Sequence, residues 1–417
     1  HFKKNSREFG RVFSRSAGAR SGSQRPVQGR VASRAMLDAP RVLIIGAGLT
    51  GSLIARMLQA GAAGYPVEIH VWEKGRGIGG RFSVTRSDTG GQADTGAQYI
   101  TEVEGIAGEH RALYNHLYGE GTLVPMKTVI AGTRAADGAS GKNWVAPHGI
   151  NAVAKSLLAA SNARVTLGRG ATTVERVAVT SAAGKTRTQW HVSHTNAQPA
   201  DVADELLFDA VVLTLPVPQV LGMGGEVAEL LERSDLLDAL VSVQYSSRYA
   251  ASYFYSLDDA AAKAYFEQLP WASRYVGKEE DPDLVFISLC AAKRGRTDAE
   301  PPSVLVHSSV PFALRRMDSA ATADVGAEML IKLRGLLPGL PSPADSRTLL
   351  WRWSQVRKPL ALPGGQAAID LGEGGPPLVL AGDAYSEYGS RFDGCYDSAR
   401  AASTLLLKQL GILRLRG

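Results

Sequence analysis

The sequence is poor in the residues that build disulfide-rich and metal-dependent folds. Its 417 residues include only two cysteines, Cys290 and Cys395, which lie far apart in the chain. A disulfide framework or a zinc site needs several cysteines or histidines at short, regular spacing, so neither is predicted here. A reducing compartment is sufficient for such a chain, and no metal ligands are predicted.

Long apolar runs are also absent. The chain is 45% hydrophobic and 21% charged, and no segment approaches the roughly 18 consecutive apolar residues that a transmembrane helix requires. A chain of this length can form two domains. The sequence therefore predicts a globular protein of two domains without a membrane span.

Acidic residues are scarce in one part of the chain, the segment of residues 1–35. This segment holds two lysines and seven arginines against Glu8 alone, so it carries a net charge of +8 and leaves −2 of the total of +6 to the remainder. A positive charge confined to a tail does not require a nucleic-acid partner, and none is predicted.

The composition of this tail, rich in Arg, Ser, Gly and Ala, is typical of an organelle transit peptide. Alternatively, Met36 is the native start and the tail is upstream translated sequence. We expect residues 1–40 to be a disordered basic tail or a transit peptide. The corresponding locations are the cytoplasm, or a mitochondrion or plastid if the tail is a transit peptide.

An apolar strand followed by three glycines predicts the opening turn of a dinucleotide-binding fold. Gly46 permits the sharp turn, Gly48 allows the backbone to approach a pyrophosphate, and Gly51 lets the following helix pack closely on the strand. A second apolar strand ends at Glu73, about twenty residues beyond the last glycine, where a carboxylate binds the ribose hydroxyls in this fingerprint.

Three further segments carry a resemblance to a known family. Gly79-Gly80-Arg81 resembles the second pyrophosphate contact of the amine oxidase flavoproteins, in which backbone and guanidinium bind the diphosphate. Together with Leu49-Thr50-Gly51-Ser52 and the segment Asp94–Thr101, this turn is similar to the corresponding motifs of the renalases. The resemblance extends over nearly all of residues 41 to 410.

The resemblance implies an α/β fold with two domains: a Rossmann-like FAD-binding domain and a mixed-sheet substrate domain. The FAD-binding domain is expected to be discontinuous, formed by residues 41–103, 149–218 and 349–413. The substrate domain is expected to comprise residues 104–148 and 219–348. A helix beginning near residue 392 would direct its positive N-terminal end at the flavin ring.

The resemblance also implies noncovalent FAD, without a bond to Cys395. The expected cofactor-binding residues come from the glycine turns, the acidic strand ends, the segment after residue 94 and the start of the last helix. They are Gly46, Gly48, Thr50, Gly51, Glu73, Lys74, Gly80, Arg81, Gln98, Tyr99, Ala171, Gly382, Asp383, Phe392, Asp393 and Gly394. Ala171 stands where the relatives usually carry valine, and Asp383 is expected to accept hydrogen bonds from ribityl hydroxyls.

Four residues are candidates for contact with the substrate: Tyr245, His307, Trp351 and Arg391. For His307 and Trp351 the alternative is packing in the core of the domain. No side chain is expected to be catalytic, because hydride transfer to the flavin needs no acid or base from the protein.

The resemblance implies that the chain oxidises the 2- and 6-dihydro isomers of NAD(P)H, with O2 as the acceptor and H2O2 and NAD(P)+ as products. One alternative is a monoamine oxidase. Arg391 argues against it, because a cation near the flavin would repel a protonated amine. A second alternative is an FAD-stabilised binding or signalling protein without turnover. The sequence does not predict an oligomeric state.

Overall fold

The computed structural model describes residues 39–103, 108–132, 141–181, 184–195, 206–360 and 362–413. The predicted tail, residues 1–40, lies almost entirely outside these ranges. In the described part of the chain, we found no helix with the length and apolar character needed to cross a bilayer.

The described residues form 21 strands and 11 α-helices. The strands are β1 Arg41–Ile45, β2 Glu68–Glu73, β3 Val84–Arg86, β4 Gln92–Asp94, β5 Ile100–Val103, β6 Val124–Pro125, β7 Ile130–Ala131, β8 Gly141–Val145, β9 Arg164–Leu167, β10 Ala171–Thr180, β11 Thr186–His194, β12 Leu207–Phe208, β13 Ala210–Leu213, β14 Gly224–Gly225, β15 Gln244–Phe254, β16 Ser273–Tyr275, β17 Leu284–Leu289, β18 Ser303–Ser308, β19 Asp345–Lys358, β20 Ala368–Asp370 and β21 Leu378–Ala381. The helices are α1 Leu49–Gly61, α2 Gly108–Gly119, α3 Asn151–Ala159, α4 Val217–Leu221, α5 Glu226–Arg233, α6 Leu237–Val241, α7 Ala260–Glu267, α8 Cys290–Lys293, α9 Val310–Arg316, α10 Thr322–Leu336 and α11 Phe392–Gln409.

The first sheet is of the Rossmann type, with strand order β20-β21-β13-β1-β2-β9. Its strands are parallel except for the edge strand β20. Strands β1, β13 and β21 are almost wholly apolar, which is typical of parallel strands covered on both faces. Helices α1, α3 and α11 contribute to the core on one face, and the β12-β11-β10-β14 sheet contributes to the core on the other.

The second sheet has the order β19-β15-β18-β17-β16-β7 and is antiparallel except for the pairing of β16 with β7. Its helices α7, α9 and α10 share a separate core with the sheet, in which Tyr253, Phe312 and Met329 are buried. The fold class predicted from the sequence is confirmed: a Rossmann-like domain is combined with a domain built on a mixed sheet.

The course of the chain between these two sheets differs from the predicted domain boundaries. Strand β19 pairs with β15 from Asp345 to Lys358, so the boundary placed at residue 349 falls inside a strand of the second sheet. Helix α2, assigned to the substrate domain, buries Leu113 and Leu117 in the core of the first sheet. Local sequence pattern shows that a segment is a strand or a helix, but not which sheet it joins.

A buried polar cluster joins strand β4 to the second sheet. The Nζ atom of Lys293 lies 2.9 Å from Asp94 Oδ2, and Nη1 of Arg294 lies 3.1 Å from the same oxygen. Arg294 also pairs with Glu300 at 2.5 Å. Because all four side chains are buried, removing one partner would leave an uncompensated charge, which is strongly destabilising. The cluster therefore fixes β4 against α8.

Candidate functional site: a cavity between the two sheets

A cavity of about 1110 Å³ lies between the carboxyl ends of the first sheet and the edge of the second sheet. At the first sheet it is lined by the two glycine turns, the ends of β2 and β13, and the start of α11. At the second sheet it is lined by Arg248, His307 and a continuous run of β19, residues 349–355. Its volume exceeds the usual range for drug-sized ligands, so it can hold more than one small molecule.

The first glycine turn has the backbone geometry predicted from the sequence. Gly46 has a φ of 111°, which favours glycine, and its N–H donates to the carbonyl of Trp72 at 2.8 Å. A Cβ atom on Gly51 would lie 2.0 Å from the carbonyl oxygen of Gly46, so helix α1 can approach the turn only without a side chain there. Gly48, Leu49 and Thr50 line the cavity, and helix α1 therefore begins at its wall.

The second glycine turn packs directly against the first. The N–H of Gly79 donates to the carbonyl of Ala47 at 2.9 Å, and Gly48 and Gly79 form an isolated bridge. A Cβ atom on Gly80 would lie 3.1 Å from the Cα atom of Gly48. The two turns thus form one concave backbone surface, where N–H groups at the start of α1 can bind an anion.

Glu73 lies at the cavity with both carboxylate oxygens in contact with backbone amides. Its Oε2 accepts from the N–H of Ala47 at 3.0 Å, and its Oε1 accepts from the N–H of Gly75 at 2.6 Å. Lys74 and Ala171 also line this end. These three predicted residues therefore line the same end of the cavity. Glu73 retains further lone pairs that can accept a hydrogen bond from a ligand hydroxyl.

Arg81 and Asp383 form an ion pair at the cavity wall. The Nη1 and Nη2 atoms of Arg81 each donate to one oxygen of Asp383 at 2.6 Å, and the hydroxyl of Ser390 donates to the same carboxylate. Burial alone would raise the pKa of Asp383, but the charge and hydrogen bonds of Arg81 lower it below its usual value. The sequence assigned these residues to the pyrophosphate and the ribityl chain separately, and their contact with each other was not predicted.

Several predicted cofactor residues lie behind the cavity wall. Gln98 donates to the carbonyl of Gly96 at 2.9 Å and accepts from Lys293 at 3.0 Å. The hydroxyl oxygens of Tyr99 and Tyr275 are 2.5 Å apart. Neither Gln98 nor Tyr99 lines the cavity, although Thr95, Gly96 and Ala97 do. The side chains of Gln98 and Tyr99 therefore support the loop of residues 95–97, and this loop forms part of the cavity wall.

At the start of α11, too, some predicted residues line the cavity and others lie behind its wall. Arg391, its N-cap residue, and Cys395 line the cavity, whereas Phe392, Asp393 and Gly394 do not. Gly394 lacks room for a side chain, because a Cβ atom would lie 2.1 Å from the carbonyl oxygen of Gly389.

Gly382 and Gly51 likewise act through backbone packing. Neither lines the cavity, and the N–H of Gly382 donates to the hydroxyl of Ser398 at 2.8 Å. Both glycines thus shape the wall without forming its surface.

Cys395 presents a neutral thiol to the cavity. Burial and the nearby charge of Asp383 raise the pKa of this thiol to about 12, against the opposing effect of a hydrogen bond with Thr50. A thiol that stays protonated is a poor nucleophile. The absence of a covalent bond between Cys395 and the cofactor stays a prediction.

Three of the four predicted substrate residues line the cavity: His307 and Trp351 from the second sheet, and Arg391 from the start of α11. Trp351 donates through Nε1 to the carbonyl of Thr95 at 2.8 Å. Tyr245 does not line the cavity, and its hydroxyl instead accepts from the N–H of Val217 at 3.1 Å.

His307 is a neutral group at this wall. Burial and the charge of Arg248 lower its pKa to about 3, against the opposing effect of a hydrogen bond to the backbone of Thr95. His307 therefore carries no positive charge at neutral pH.

Strand β19 contains a β-bulge within the run of residues that lines the cavity. Trp351 lies opposite Arg248 and Gln355 lies opposite Ser246, so the three residues 352–354 oppose Ser247 alone. The hydroxyl of Ser247 donates to the carbonyl of Arg352 at 2.7 Å. Bulges redirect side chains near functional sites. Arg248, Arg352 and Trp353 were not among the four predicted substrate residues, although they belong to the segments 243–250 and 351–356, whose resemblance to the family indicates the substrate pocket.

The residues present fit FAD as the cofactor. A dinucleotide requires two close approaches of backbone to its phosphates, and Gly48 and Gly80 provide adjacent surfaces without side chains. The start of α1 supplies N–H donors, and the cavity extends from Glu73 to α11. In the described ranges, no group of three or more histidine, cysteine, aspartate or glutamate side chains is arranged to hold a metal ion.

Comparisons with known proteins agree with this geometry. Residues 44–117 match the model of an NAD(P)-binding Rossmann-like domain, and residues 116–407 match that of the flavin-containing amine oxidoreductases. The chain is 34% identical to renalase from Mus musculus over 373 residues, which is 89% of this chain and 99% of that protein.

Two solved structures share the fold at low sequence identity. One is a protein from Exiguobacterium sp. 255-15 assigned as a protoporphyrinogen oxidase, with a TM-score of 0.61 and 12% identity. The other is cyclohexylamine oxidase from Brevibacterium oxydans IH-35A, with a TM-score of 0.59 and 12% identity. In each case the match covers 89% of this chain and 100% of the other. At this level of identity, the similarity shows the fold alone.

Proposed function

The chain belongs to the family of flavin-containing amine oxidoreductases and is a renalase-like, FAD-dependent oxidoreductase; on this premise, we propose that it oxidises the 2- and 6-dihydro isomers of NAD(P)H. When bound, the flavin accepts a hydride and passes the electrons to O2, which yields H2O2. The products would be NAD(P)+ and H2O2. The reaction restores an aromatic pyridinium ring and needs no acid or base from the protein.

The observation that carries this proposal is the positive charge of residues that line the cavity away from the glycine turns. Arg248 and Arg391 line it, together with His307, whose pKa of about 3 keeps it neutral; Arg352 also lines it but is paired with Asp318 at 3.0 Å. The guanidinium groups of Arg248 and Arg391 disfavour a protonated amine and favour a substrate that bears phosphates. The phosphates lie far from the reacting ring, so their binding energy can orient the dihydropyridine for transfer.

The protein's own residues would contribute orientation and exclusion of water. Trp351 is held by its hydrogen bond to Thr95, so its ring forms a fixed wall. Leu349 and Leu350 add apolar surface on the same strand. This wall and the two glycine turns line the same cavity. We propose that these residues position a flat ring, whereas the arginines bind the remainder of the dinucleotide.

A direct test compares how fast different substrates reduce the bound flavin. The purified holoenzyme would be mixed without oxygen with 2-dihydro-NAD, 6-dihydro-NAD, ordinary NADH and cyclohexylamine, and bleaching of the flavin absorbance would be followed. We expect reduction by the dihydro isomers to be fastest, by at least about tenfold over the amine, since one charge contact contributes about 1.5 kcal/mol or more. Admission of O2 should then yield H2O2.

The alternatives give different results in the same experiment. Fastest reduction by cyclohexylamine would establish an amine oxidase and contradict the proposal. Absence of reduction by every compound, in a preparation that retains FAD, would indicate a flavin-stabilised protein without turnover. NADH serves as the matched control, because it has the same phosphates and differs only in the position of the reacting hydride.

A further inference from the structure

A buried pair of titratable residues, His110 and Asp393, lies behind the start of α11 and has no part in the proposed reaction. His110 Nδ1 is 3.1 Å from Asp393 Oδ1, and the two side chains are 6% and 2% exposed. The hydroxyl of Tyr114 lies 3.4 and 3.5 Å from the two oxygens of the same carboxyl group. His110 and Tyr114 belong to α2, so this contact joins α2 to the first turn of α11.

The position of Asp393 determines how its charge affects the electrostatic potential at the start of α11. It is in the first turn of α11, between the cavity-lining residues Arg391 and Cys395, but on the side of the helix away from the cavity. A helix N-terminus carries about half a positive charge. An uncompensated carboxylate in the first turn would cancel this charge at the cavity wall. Burial raises the pKa of Asp393, whereas its hydrogen bonds with His110 and Tyr114 oppose that rise.

We propose that His110 is a positioning residue that pairs with Asp393 and keeps net negative charge from accumulating behind the start of α11, so that this helix end keeps its positive potential toward the flavin. The pair would stabilise added negative charge on the flavin by leaving the helix end uncompensated. This inference rests on FAD binding in this cavity and not on the identity of the substrate. Its test therefore measures the flavin and stands whichever compound reduces the enzyme.

The groups around His110 and Asp393 include aromatic rings and the charged side chains of Glu102 and Arg391. The ring of His110 contacts the rings of Tyr396 and Tyr388, with centroids 4.4 and 6.4 Å apart. Glu102 and Arg391 act on Tyr114 through their charges, and Glu102 is itself paired with Arg111 at 2.9 Å. In the described part of the chain, Asp393 is the one carboxyl group within hydrogen-bonding distance of His110.

The experiment measures the midpoint potential of the bound flavin, by equilibration with reference dyes, in three variants. His110→Leu removes the partner of Asp393 and is expected to lower the potential. Asp393→Asn removes the carboxyl group and is expected to raise it. The double variant lacks both ionisable groups and is expected to return toward the wild-type value. Opposite shifts that cancel in the double variant would establish that the two residues act on the flavin as a pair.

Two further variants separate charge from packing. His110→Gln keeps a hydrogen-bond donor toward Asp393 without an ionisable ring, so it should fold normally and still lower the potential. Tyr114→Phe removes a hydroxyl contact with the same carboxyl group without changing a charge, and should leave the potential unchanged. Unchanged potentials in both His110 variants, with a lower melting temperature in His110→Leu, would overturn the proposal and leave the pair a structural one.

The control for loss of a buried histidine elsewhere is His70→Leu. His70 is 5% exposed and its Nε2 lies 2.6 Å from Glu68 Oε1, on strand β2 away from α11. Its removal should leave the potential unchanged. An equal shift in this variant would show that any buried histidine in the domain affects the flavin, and would contradict a specific role for His110.

Discussion

The first sheet contributes a backbone surface to the cavity wall, whereas the residues of the second sheet that line the cavity include no glycine. In the backbone surface, Gly48 and Gly80 meet with no side chain between them, and the loop at Gly96 presents its main chain. The second sheet instead presents Arg248 from β15 and Trp351 with its neighbours from the bulged edge strand β19. A backbone surface tolerates few substitutions and suits a fixed cofactor, whereas a side-chain surface can be altered without rebuilding the fold.

The largest effect is expected from a substitution in the backbone surface. A Cβ atom on Gly96 would lie 1.8 Å from the carbonyl oxygen of Arg81, so Gly96→Ala forces the two main chains apart. We expect a loss of about 5 kcal/mol or more of unfolding free energy, measured by urea denaturation. Gly48→Ala is the matched control, because its Cβ atom has 4.0 Å of clearance, and should cost less than about 1 kcal/mol. Equal costs would refute the distinction.

Arg81→Ala should have the next largest effect. It leaves Asp383 buried without its main partner, at a cost of about 3 to 5 kcal/mol, and should weaken retention of FAD. Arg81 lowers the pKa of Asp383 in the folded state, so this stabilisation is complete above pH of about 4 and is lost as the pH falls through the lower, folded-state pKa.

The difference in stability between wild type and Arg81→Ala should therefore be largest at neutral pH and shrink in acid. Denaturation at a series of pH values measures it. A difference that does not change with pH would mean that Asp383 is not the group stabilised by Arg81. Arg81→Lys is the conservative variant. It keeps the positive charge but not the two parallel hydrogen bonds, so it should lose less unfolding free energy than Arg81→Ala.

A smaller effect, confined to the substrate, is expected from the side-chain surface. Arg391→Ala should raise the KM for a dihydronicotinamide dinucleotide about tenfold, by loss of one charge-assisted contact of about 1.5 kcal/mol. FAD affinity and kcat should be unchanged. Arg400→Ala is the control, since this exposed arginine is on the same helix but does not line the cavity. Loss of FAD in Arg391→Ala would assign the residue to the cofactor instead.

The smallest effect on stability is expected from a substitution of a residue that lies behind the cavity wall. Tyr99→Phe removes the hydroxyl contact with Tyr275 and should cost about 1 kcal/mol of unfolding free energy without changing FAD affinity. Thermal denaturation and titration of the apoprotein with FAD measure the two quantities. Tyr275→Phe removes the same contact from the other side and should match it. A selective loss of FAD in Tyr99→Phe would restore the role in cofactor binding that the sequence indicated.

The sequence predicted the backbone surface well, because its requirements are local. Gly46, Gly48 and Gly51 lie within six consecutive residues. Glu73 follows after one helix and one strand, so its distance from the glycines in the sequence is predictable. The directions of Gln98 and Asp393 could not be predicted in this way. Each is turned toward a partner far away in the chain, Lys293 and His110, and local pattern carries no information about such contacts.

The side-chain surface was predicted in part for the same reason. His307 and Trp351 were named as candidates from a strand position and a family resemblance, whereas Arg352 and Trp353, in the same segment as Trp351, lie in a bulge of β19 against Ser247 that the sequence does not show. On a regular strand, alternate residues would face opposite sides. Whether a strand bulges depends on its neighbour in the sheet, and that neighbour is about a hundred residues earlier in the chain.

The strand order of the first sheet also determines when this protein can acquire its cofactor during synthesis. Strands β1 and β2 leave the ribosome early, but β13 must wait for its neighbour β21, which ends at Ala381. Until then its edge is open to pairing with other chains, and such long-range pairing is slow. The wall that joins Gly48 to Asp383 can form only after residue 383 has been synthesised. We therefore expect FAD to bind late in synthesis or after it, when both ends of the cavity wall are present.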